Sequence, residues 1–103
     1  MRLKKGVKLG GLKQQMVVAA MIIDNVLSRW GCIVTSGCED APGRLSTSKH
    51  KTGEALDFRA KHIPHDLREK ERDNISGALT DEFDVVLHGE GENIHFHVEF
   101  DPR

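Results

Sequence analysis

The stretch Ser48-Lys-His-Lys-Thr-Gly-Glu-Ala-Leu-Asp57 leads from a polar loop into a segment whose side chains alternate between polar and apolar. Alternation with a period of two is typical of a β-strand that buries one face. Over residues 54–59 it directs Leu56 and Phe58 into a core and leaves Asp57 on the opposite face. The stretch therefore predicts a strand that carries a carboxylate close to a histidine-bearing loop.

A second alternating segment lies near the C-terminus, at residues 94–100. One face of this predicted strand carries His95, His97 and Glu99. Residues 83–87 also have the composition of a strand, and the glycine-rich residues between the two segments that of a turn. We therefore predict an antiparallel hairpin with two histidines on one face and an apolar opposite face made of Ile94, Phe96, Val98 and Phe100.

Two amphipathic helices are predicted to cover this sheet. Apolar residues recur at spacings of three and four over residues 11–30, and Gly31 supplies a C-terminal stop. A second helix is predicted to begin at Pro64, which is tolerated in a first helical turn. Together with a short strand at residues 32–35, the pattern predicts one α+β domain over residues 1–103, with a small antiparallel sheet and two helices packed on it. The apolar stripe of the first helix comprises Leu9, Leu12, Met16, Ala19, Ile23, Val26, Leu27 and Trp30, and that of the second Leu67, Ile75, Ala78 and Leu79.

The composition of the chain argues against several classes of partner. A formal net charge of -1 over 103 residues provides no general attraction to nucleic acid or to a membrane surface. The apolar run at residues 16–23 is shorter than the roughly 20 residues of a membrane span. It also lacks a small-residue cleavage site, so we expect synthesis in the cytoplasm without a signal peptide.

Cys32 and Cys38 do not have the spacing of a redox or zinc motif and are expected to be free thiols.

The polar side chains of the two alternating segments have the composition of a zinc site. Zinc prefers nitrogen and oxygen or sulfur donors in a tetrahedral arrangement. His50 and Asp57 lie on either side of Gly53, which allows the chain to turn so that both reach one ion. His97 is the best third donor because a strand histidine points in a fixed direction, and His95 on the same face lies close enough to act on a bound substrate.

The pattern Ser48-x-His50-x-x-Gly53-x-Ala55-x-Asp57, with His95-x-His97 near the C-terminus, resembles the signature of a family of zinc peptidases. That family includes D-Ala-D-Ala carboxypeptidases and dipeptidases, phage L-alanyl-D-glutamate endopeptidases and the hedgehog signalling domain. The resemblance covers residues 35–101. It implies a hedgehog-like and D-Ala-D-Ala-peptidase-like fold, with Zn²⁺ as the cofactor.

The resemblance also implies roles for individual residues. His50, Asp57 and His97 correspond to the zinc ligands. His95 corresponds to a histidine that stabilises the oxyanion or assists proton transfer, and Ser48 to a serine that supports substrate binding beside the metal.

The chain departs from the family pattern at the position of the general base. Many of these peptidases have an acidic residue three positions before the last zinc ligand. Ile94 occupies that position here. The candidates are Glu92, Glu90 and His88, of which we prefer Glu92 because it is nearest to the strand that carries His95.

The chain also departs from the family pattern at the position of the substrate-binding arginine. Many relatives have an arginine soon after the first strand, where this chain has Glu39. Arg44 and Arg59 are the candidates to replace it, and the sequence does not decide between them.

These expectations describe a zinc peptidase that hydrolyses peptide bonds in bacterial peptidoglycan stem peptides. It would be a phage or prophage endolysin-like endopeptidase or a D-Ala-D-Ala carboxypeptidase, and the small size and the missing signal peptide and wall-binding domain favour the phage type. We expect a monomer that acts on the cell wall after phage lysis or as part of a virion, without nucleic-acid or membrane partners. The alternatives are a catalytically inactive zinc-containing binding module of the same fold and an α+β domain without a metal.

Overall fold

The computed structural model describes residues 1–102, so that Arg103, the last residue of the predicted domain, lies outside the described part of the chain. Within it, a mixed sheet of five strands carries two helices on one face. In chain order the elements are β1 (Arg2–Leu3), α1 (Gln14–Val26), β2 (Ile33–Ser36), β3 (Ala55–Arg59), α2 (His65–Ala78), β4 (Phe83–His88), a short 3₁₀ helix (Gly91–Asn93) and β5 (His95–Phe100).

The order of strands in the sheet is β1-β2-β3-β5-β4. The predicted hairpin is confirmed, since β4 and β5 pair antiparallel, and β5 also pairs antiparallel with β3. The prediction of a wholly antiparallel sheet is wrong, because β1 adds to β2 in parallel. The backbone N–H groups of Arg2 and Lys4 donate to the carbonyls of Cys32 and Val34 at 2.9 and 2.8 Å. This edge strand is exposed on both sides, so it has no apolar alternation by which the sequence could reveal it.

The core lies between the sheet and the helices. Phe58 of β3 is aligned with Phe96 of β5, and Leu56 with Val98, and all four side chains are fully buried. The alternation predicted for β3 and β5 is therefore confirmed, and the opposite face of these strands is free for polar side chains.

Helix α1 is shorter than the predicted residues 11–30. Gly11 adopts a positive φ of 88°, and Lys13 has an extended backbone, so helical geometry begins only at Gln14. After Val26 the chain continues in turns to Gly31, which ends the segment with a φ of 86°. The flanking apolar side chains still pack on the core, which explains why the helical spacing extends beyond the helix.

Helix α2 begins one residue after Pro64, close to its predicted start. Ile75 is buried as expected, but Ala78 in the last turn is exposed, contrary to the prediction. The sequence did not reveal that Glu71 is buried on the inner side of this helix. Its carboxylate accepts a hydrogen bond from the indole Nε1–H of Trp30 at 2.5 Å and thereby ties α2 to the segment that follows α1.

Both cysteines are free thiols, as predicted. Cys32 lies in the core next to β2, and burial raises the pKa of its thiol to about 12. No helix within residues 1–102 combines the length and hydropathy needed to cross a membrane.

Candidate metal centre

The loop before β3 positions His50 through one local contact and through a close approach of Gly53 to the segment before α1. The hydroxyl of Ser48 accepts a hydrogen bond from the backbone N–H of His50 at 3.3 Å. Gly53 follows with a φ of 76°, and its carbonyl accepts the N–H of Lys13 at 2.9 Å. A Cβ atom on Gly53 would lie 2.0 Å from the carbonyl oxygen of Gly11, so only glycine fits this turn.

The three predicted ligands, His50, Asp57 and His97, meet on the polar face of β3 and β5. Asp57 and His97 are register partners in the sheet. The Oδ1 atom of Asp57 lies 3.3 Å from Nε2 of His50 and 2.8 Å from Nδ1 of His97. One donor atom from each of the three residues lies within 4.8 Å of the other two, so the group could hold a metal ion.

His50 presents a defined nitrogen to this centre. Its Nδ1 lies 2.9 Å from the carbonyl oxygen of Gly37. A carbonyl only accepts hydrogen bonds, so Nδ1 carries the proton and the lone pair of the neutral ring is on Nε2, which faces Asp57. His50 is only 6% exposed, and its contact with Gly37 leaves the Nε2 lone pair directed at the centre.

His97 lies between two carboxylates. Its Nδ1 contacts Asp57, and its Nε2 contacts Oε1 of Glu99 at 2.8 Å. The hydrogen bond to Asp57 has the largest effect and, with that to Glu99, raises the pKa of His97 although burial acts in the other direction. A neutral ring that keeps Nε2–H on Glu99 offers the Nδ1 lone pair to the centre.

Asp57 supplies the anionic donor. Burial of its carboxyl favours the neutral form, but hydrogen bonds from the His50 and His97 rings, which these nitrogens can donate only when the rings are protonated, outweigh this effect and hold the pKa of Asp57 well below its usual range. The group therefore offers two imidazole nitrogens and one carboxylate oxygen, a donor set found in transition-metal sites of proteins.

His95 lies at the rim of this group, on the same face of β5. Its Nδ1 is 2.6 Å from the carbonyl oxygen of Asn93, which places the lone pair of the neutral ring on Nε2. That Nε2 is 3.8 Å from Oδ2 of Asp57. His95 therefore presents an imidazole nitrogen beside the centre but does not belong to the group of three residues that could hold a metal ion.

Cavities adjoin the centre on two sides. A cavity of about 560 Å³ is bordered by Asp57, His95, Arg59 and Glu92, among others. A second, of about 430 Å³, is bordered by His97 and Glu99 and by two further predicted site residues, Ser48 and Arg44. The substrate-binding candidates are thus divided between the two sides.

The three candidate bases are in different environments. The side chain of Glu92 is 86% exposed and forms an ion pair with Lys61 at 2.7 Å, and this hydrogen bond lowers the pKa of Glu92. Glu90 is exposed in the adjoining turn. His88 lies on β4 with its ring 5.4 Å from that of His95. Glu92 and His95 border the same cavity, whereas Glu90 and His88 do not.

The two candidate arginines differ in whether they are engaged by other groups. Arg44 donates to the hydroxyl of Ser36 at 2.6 Å and forms an ion pair with Glu39 at 3.8 Å. Glu39 in turn accepts hydrogen bonds from Ser36 and from the backbone of Gly37, so Arg44 helps to hold this loop together. Arg59 borders the cavity of His95, where its charge acts on the carboxylate of Glu92.

Sequence reasoning missed two groups that orient the ligands. Glu99 was placed on the face of His97 but given no role, although its spacing of two residues along a strand was a usable signal. The carbonyl of Gly37 had no signal, because a backbone oxygen 13 residues from His50 leaves no mark on the sequence.

Comparison of the chain with protein-family models and with curated protein sequences finds no match in either.

Proposed function

We propose that the protein is a zinc-dependent peptidase that hydrolyses peptide bonds in bacterial peptidoglycan stem peptides. The observation that carries the proposal is the convergence of His50, Asp57 and His97 at distances of 2.8 and 3.3 Å. These three residues occupy the ligand positions of the peptidase-like pattern, and their orienting contacts leave Nε2 of His50 free for a metal.

The donor set supports zinc in particular. Two imidazoles and one carboxylate are three protein ligands, the number that a catalytic zinc site provides while one position stays open. A zinc ion bound there would polarise the scissile carbonyl and lower the pKa of water toward about 7.

The chain's own residues supply the remaining chemistry. The Nε2 of His95 can donate a hydrogen bond to a developing oxyanion when the ring is protonated. Glu92, across the same cavity, is the proposed base that takes the proton of the attacking water and returns it to the leaving amine. This role requires its carboxylate to leave Lys61. Ser48 contributes to substrate binding on the other side of the centre.

Cavities on two sides of the centre favour an endopeptidase over a carboxypeptidase. A peptide that continues beyond the cleaved bond in both directions needs space on both sides, and the cavities of about 560 and 430 Å³ offer it. We propose an endolysin-like enzyme that acts as a monomer on the cell wall after phage lysis or as a virion component.

Digestion of purified peptidoglycan tests this function. The zinc-loaded protein is expected to release amino groups, and chelation or His97→Ala is expected to abolish the release. Mass spectrometry of the products identifies the bond, because an endopeptidase divides the stem and a carboxypeptidase shortens its end. Release that persists at the same rate after both treatments would reject the proposal.

A catalytically inactive zinc-containing module is the second candidate. It is favoured by the ion pair between Glu92 and Lys61 and by Ile94 at the position where relatives have an acid. Stoichiometric zinc together with no turnover of any stem peptide would support this candidate instead.

A further inference from the structure

His88 and His95 form a pair of histidines beside the candidate metal centre. The two residues are register partners on the antiparallel strands β4 and β5, so their side chains lie on the same face of the sheet. Their ring centroids are 5.4 Å apart, and the ring planes make an angle of 70°. The donors of the centre itself are His50, Asp57 and His97. The pair therefore places two further imidazoles next to it.

The end of the hairpin holds the two histidines at this spacing. Gly89, directly after His88, has a φ of 88°, and a Cβ atom there would lie 2.5 Å from the carbonyl oxygen of Asn93. The same carbonyl oxygen lies 2.6 Å from Nδ1 of His95. The tight turn therefore packs the backbone next to His88 against the carbonyl group that orients the ring of His95.

His95 offers one nitrogen to a metal ion. Because Nδ1–H donates to Asn93, the lone pair of the neutral ring is on Nε2, which lies 3.8 Å from Oδ2 of Asp57. Two zinc ligands, each about 2.1 Å from a tetrahedral ion, are about 3.4 Å apart, so the observed distance is close to that of two donors sharing one ion. The other oxygen of Asp57, Oδ1, faces His50 and His97. Asp57 can therefore give one oxygen to each of two ions.

His88 can complete this second donor set. It is exposed, and among residues 1–102 its side chain contacts the ring of His95 but has no hydrogen bond or ion pair. Exposed side chains change rotamer readily, so a nitrogen of His88 can turn toward an ion on Nε2 of His95. A cavity of about 270 Å³, bordered by His88, Val86 and His97, leaves space for this movement.

We propose that His88, His95 and Oδ2 of Asp57 form a second, weaker zinc site that inhibits the peptidase when it is filled. The inference rests on the proposed peptidase function and specifies how that function is regulated. Once Nε2 of His95 is bound to zinc, it can no longer donate a hydrogen bond to the oxyanion. The site is the weaker of the two because Asp57 is shared with the first ion and the exposed ring of His88 must be immobilised. Excess zinc is therefore an inhibitor.

The test counts bound zinc ions and follows hydrolysis in the same titration. Metal-free protein is titrated with zinc, and the ions bound are counted by calorimetry and equilibrium dialysis. We expect two ions in the wild type and one in His88→Gln, which lacks the imidazole donor. Release of amino groups from peptidoglycan should rise with the first ion and fall about 10²-fold or more with the second, the usual cost of losing an oxyanion donor. His88→Gln should not show this fall.

His65→Gln is the matched control, because His65 is exposed at the start of α2 and lies outside the pair. It should bind two ions, and thermal unfolding should show that both variants are folded. Fewer than two ions in the wild type, two in His88→Gln, or hydrolysis that continues undiminished after the second ion has bound would overturn the inhibitory site. Two ions in the wild type and one in His88→Gln, without hydrolysis at any zinc concentration, would support the second site and reject the peptidase.

Discussion

The Nε2 atom of His97 lies 2.8 Å from Oε1 of Glu99, two residues further along the same strand. A carboxylate on the outer nitrogen of a ligand histidine fixes which nitrogen carries the proton and increases the basicity of the other. Glu99 therefore favours the neutral form of His97 that offers the Nδ1 lone pair to a metal ion shared with Asp57 and His50. Because β5 is an interior strand, paired with both β3 and β4, the backbone positions of both residues are fixed by the sheet.

Replacement of Glu99 by alanine is expected to weaken zinc binding by about ten- to a hundredfold, because the orientation of His97 is lost. Glu99→Gln keeps an acceptor oxygen and should lose less. Competition with a chromophoric chelator measures the affinities, and Glu82→Ala, an exposed position outside the centre, serves as the control. Unchanged affinity in Glu99→Ala would show that Glu99 does not position the ligand.

Zinc should stabilise the folded protein through Asp57. At a free concentration one hundred times the dissociation constant, a ligand adds about 2.7 kcal/mol to the free energy of unfolding. For a chain of this size we expect a rise of about 10 °C or more in the thermal midpoint. Asp57→Ala should abolish this rise, while Asp40→Ala, at an exposed loop position, should retain it. Calorimetry with and without zinc makes the measurement, and an equal rise in Asp57→Ala would contradict the assigned centre.

The choice of base can be tested with two neighbouring carboxylates. Glu92 borders the cavity of His95, whereas Glu90 does not. If Glu92 is the base, Glu92→Gln should lower kcat by about 10²- to 10⁴-fold, the usual contribution of a positioned base, and leave zinc affinity unchanged. Glu90→Gln is the matched control and should keep wild-type turnover. Equal losses in both variants, or in neither, would assign the role to another group.

Gly53 is expected to tolerate no side chain. Gly53 and Gly43 both have positive φ, of 76° and 78°, but a Cβ on Gly43 would meet no atom within 4 Å. Gly43→Ala should therefore cost about 1–2 kcal/mol of backbone strain alone. Gly53→Ala adds a clash with the backbone of Gly11 and should cost clearly more, with weaker zinc binding because the loop of His50 moves. Urea unfolding of both variants gives the comparison, and equal costs would contradict the close contact.

The buried carboxylate of Glu71 should contribute to stability through Trp30. Glu71→Ala leaves the partly buried indole N–H and the amide of Asn74 without this acceptor, at a cost of about 1–3 kcal/mol. Glu69→Ala, exposed on the same helix, should cost much less. Trp30 is the one tryptophan of the sequence, so its fluorescence follows unfolding by urea directly. Equal unfolding free energies in the two variants would show that the bond to Trp30 is not stabilising.

The sequence alone was sufficient for the features that depend on local periodicity. The period of two in β3 and β5 identified Leu56 and Phe58 as core residues and placed Asp57 and His97 on the other face, as the structure has them. It succeeded because neighbouring residues on a strand alternate between faces whatever the rest of the chain does. The same alternation made Asp57 and His97 candidate ligands, whereas His50 was predicted from its loop position before Gly53 and from the family resemblance, and zinc itself stays a prediction.

Only the tertiary structure decided the features that depend on pairing between distant segments. The parallel addition of β1, the carbonyl of Gly37 that orients His50, and the position of Lys4 and Arg59 at one cavity all depend on backbone groups of segments that are distant in the chain. Every residue except proline carries the same backbone donor and acceptor, so such contacts leave no pattern of side chains to read. Local side-chain chemistry therefore identified the candidate ligands, whereas contacts between distant segments brought the ligands together, oriented His50 and determined which charges lie nearby.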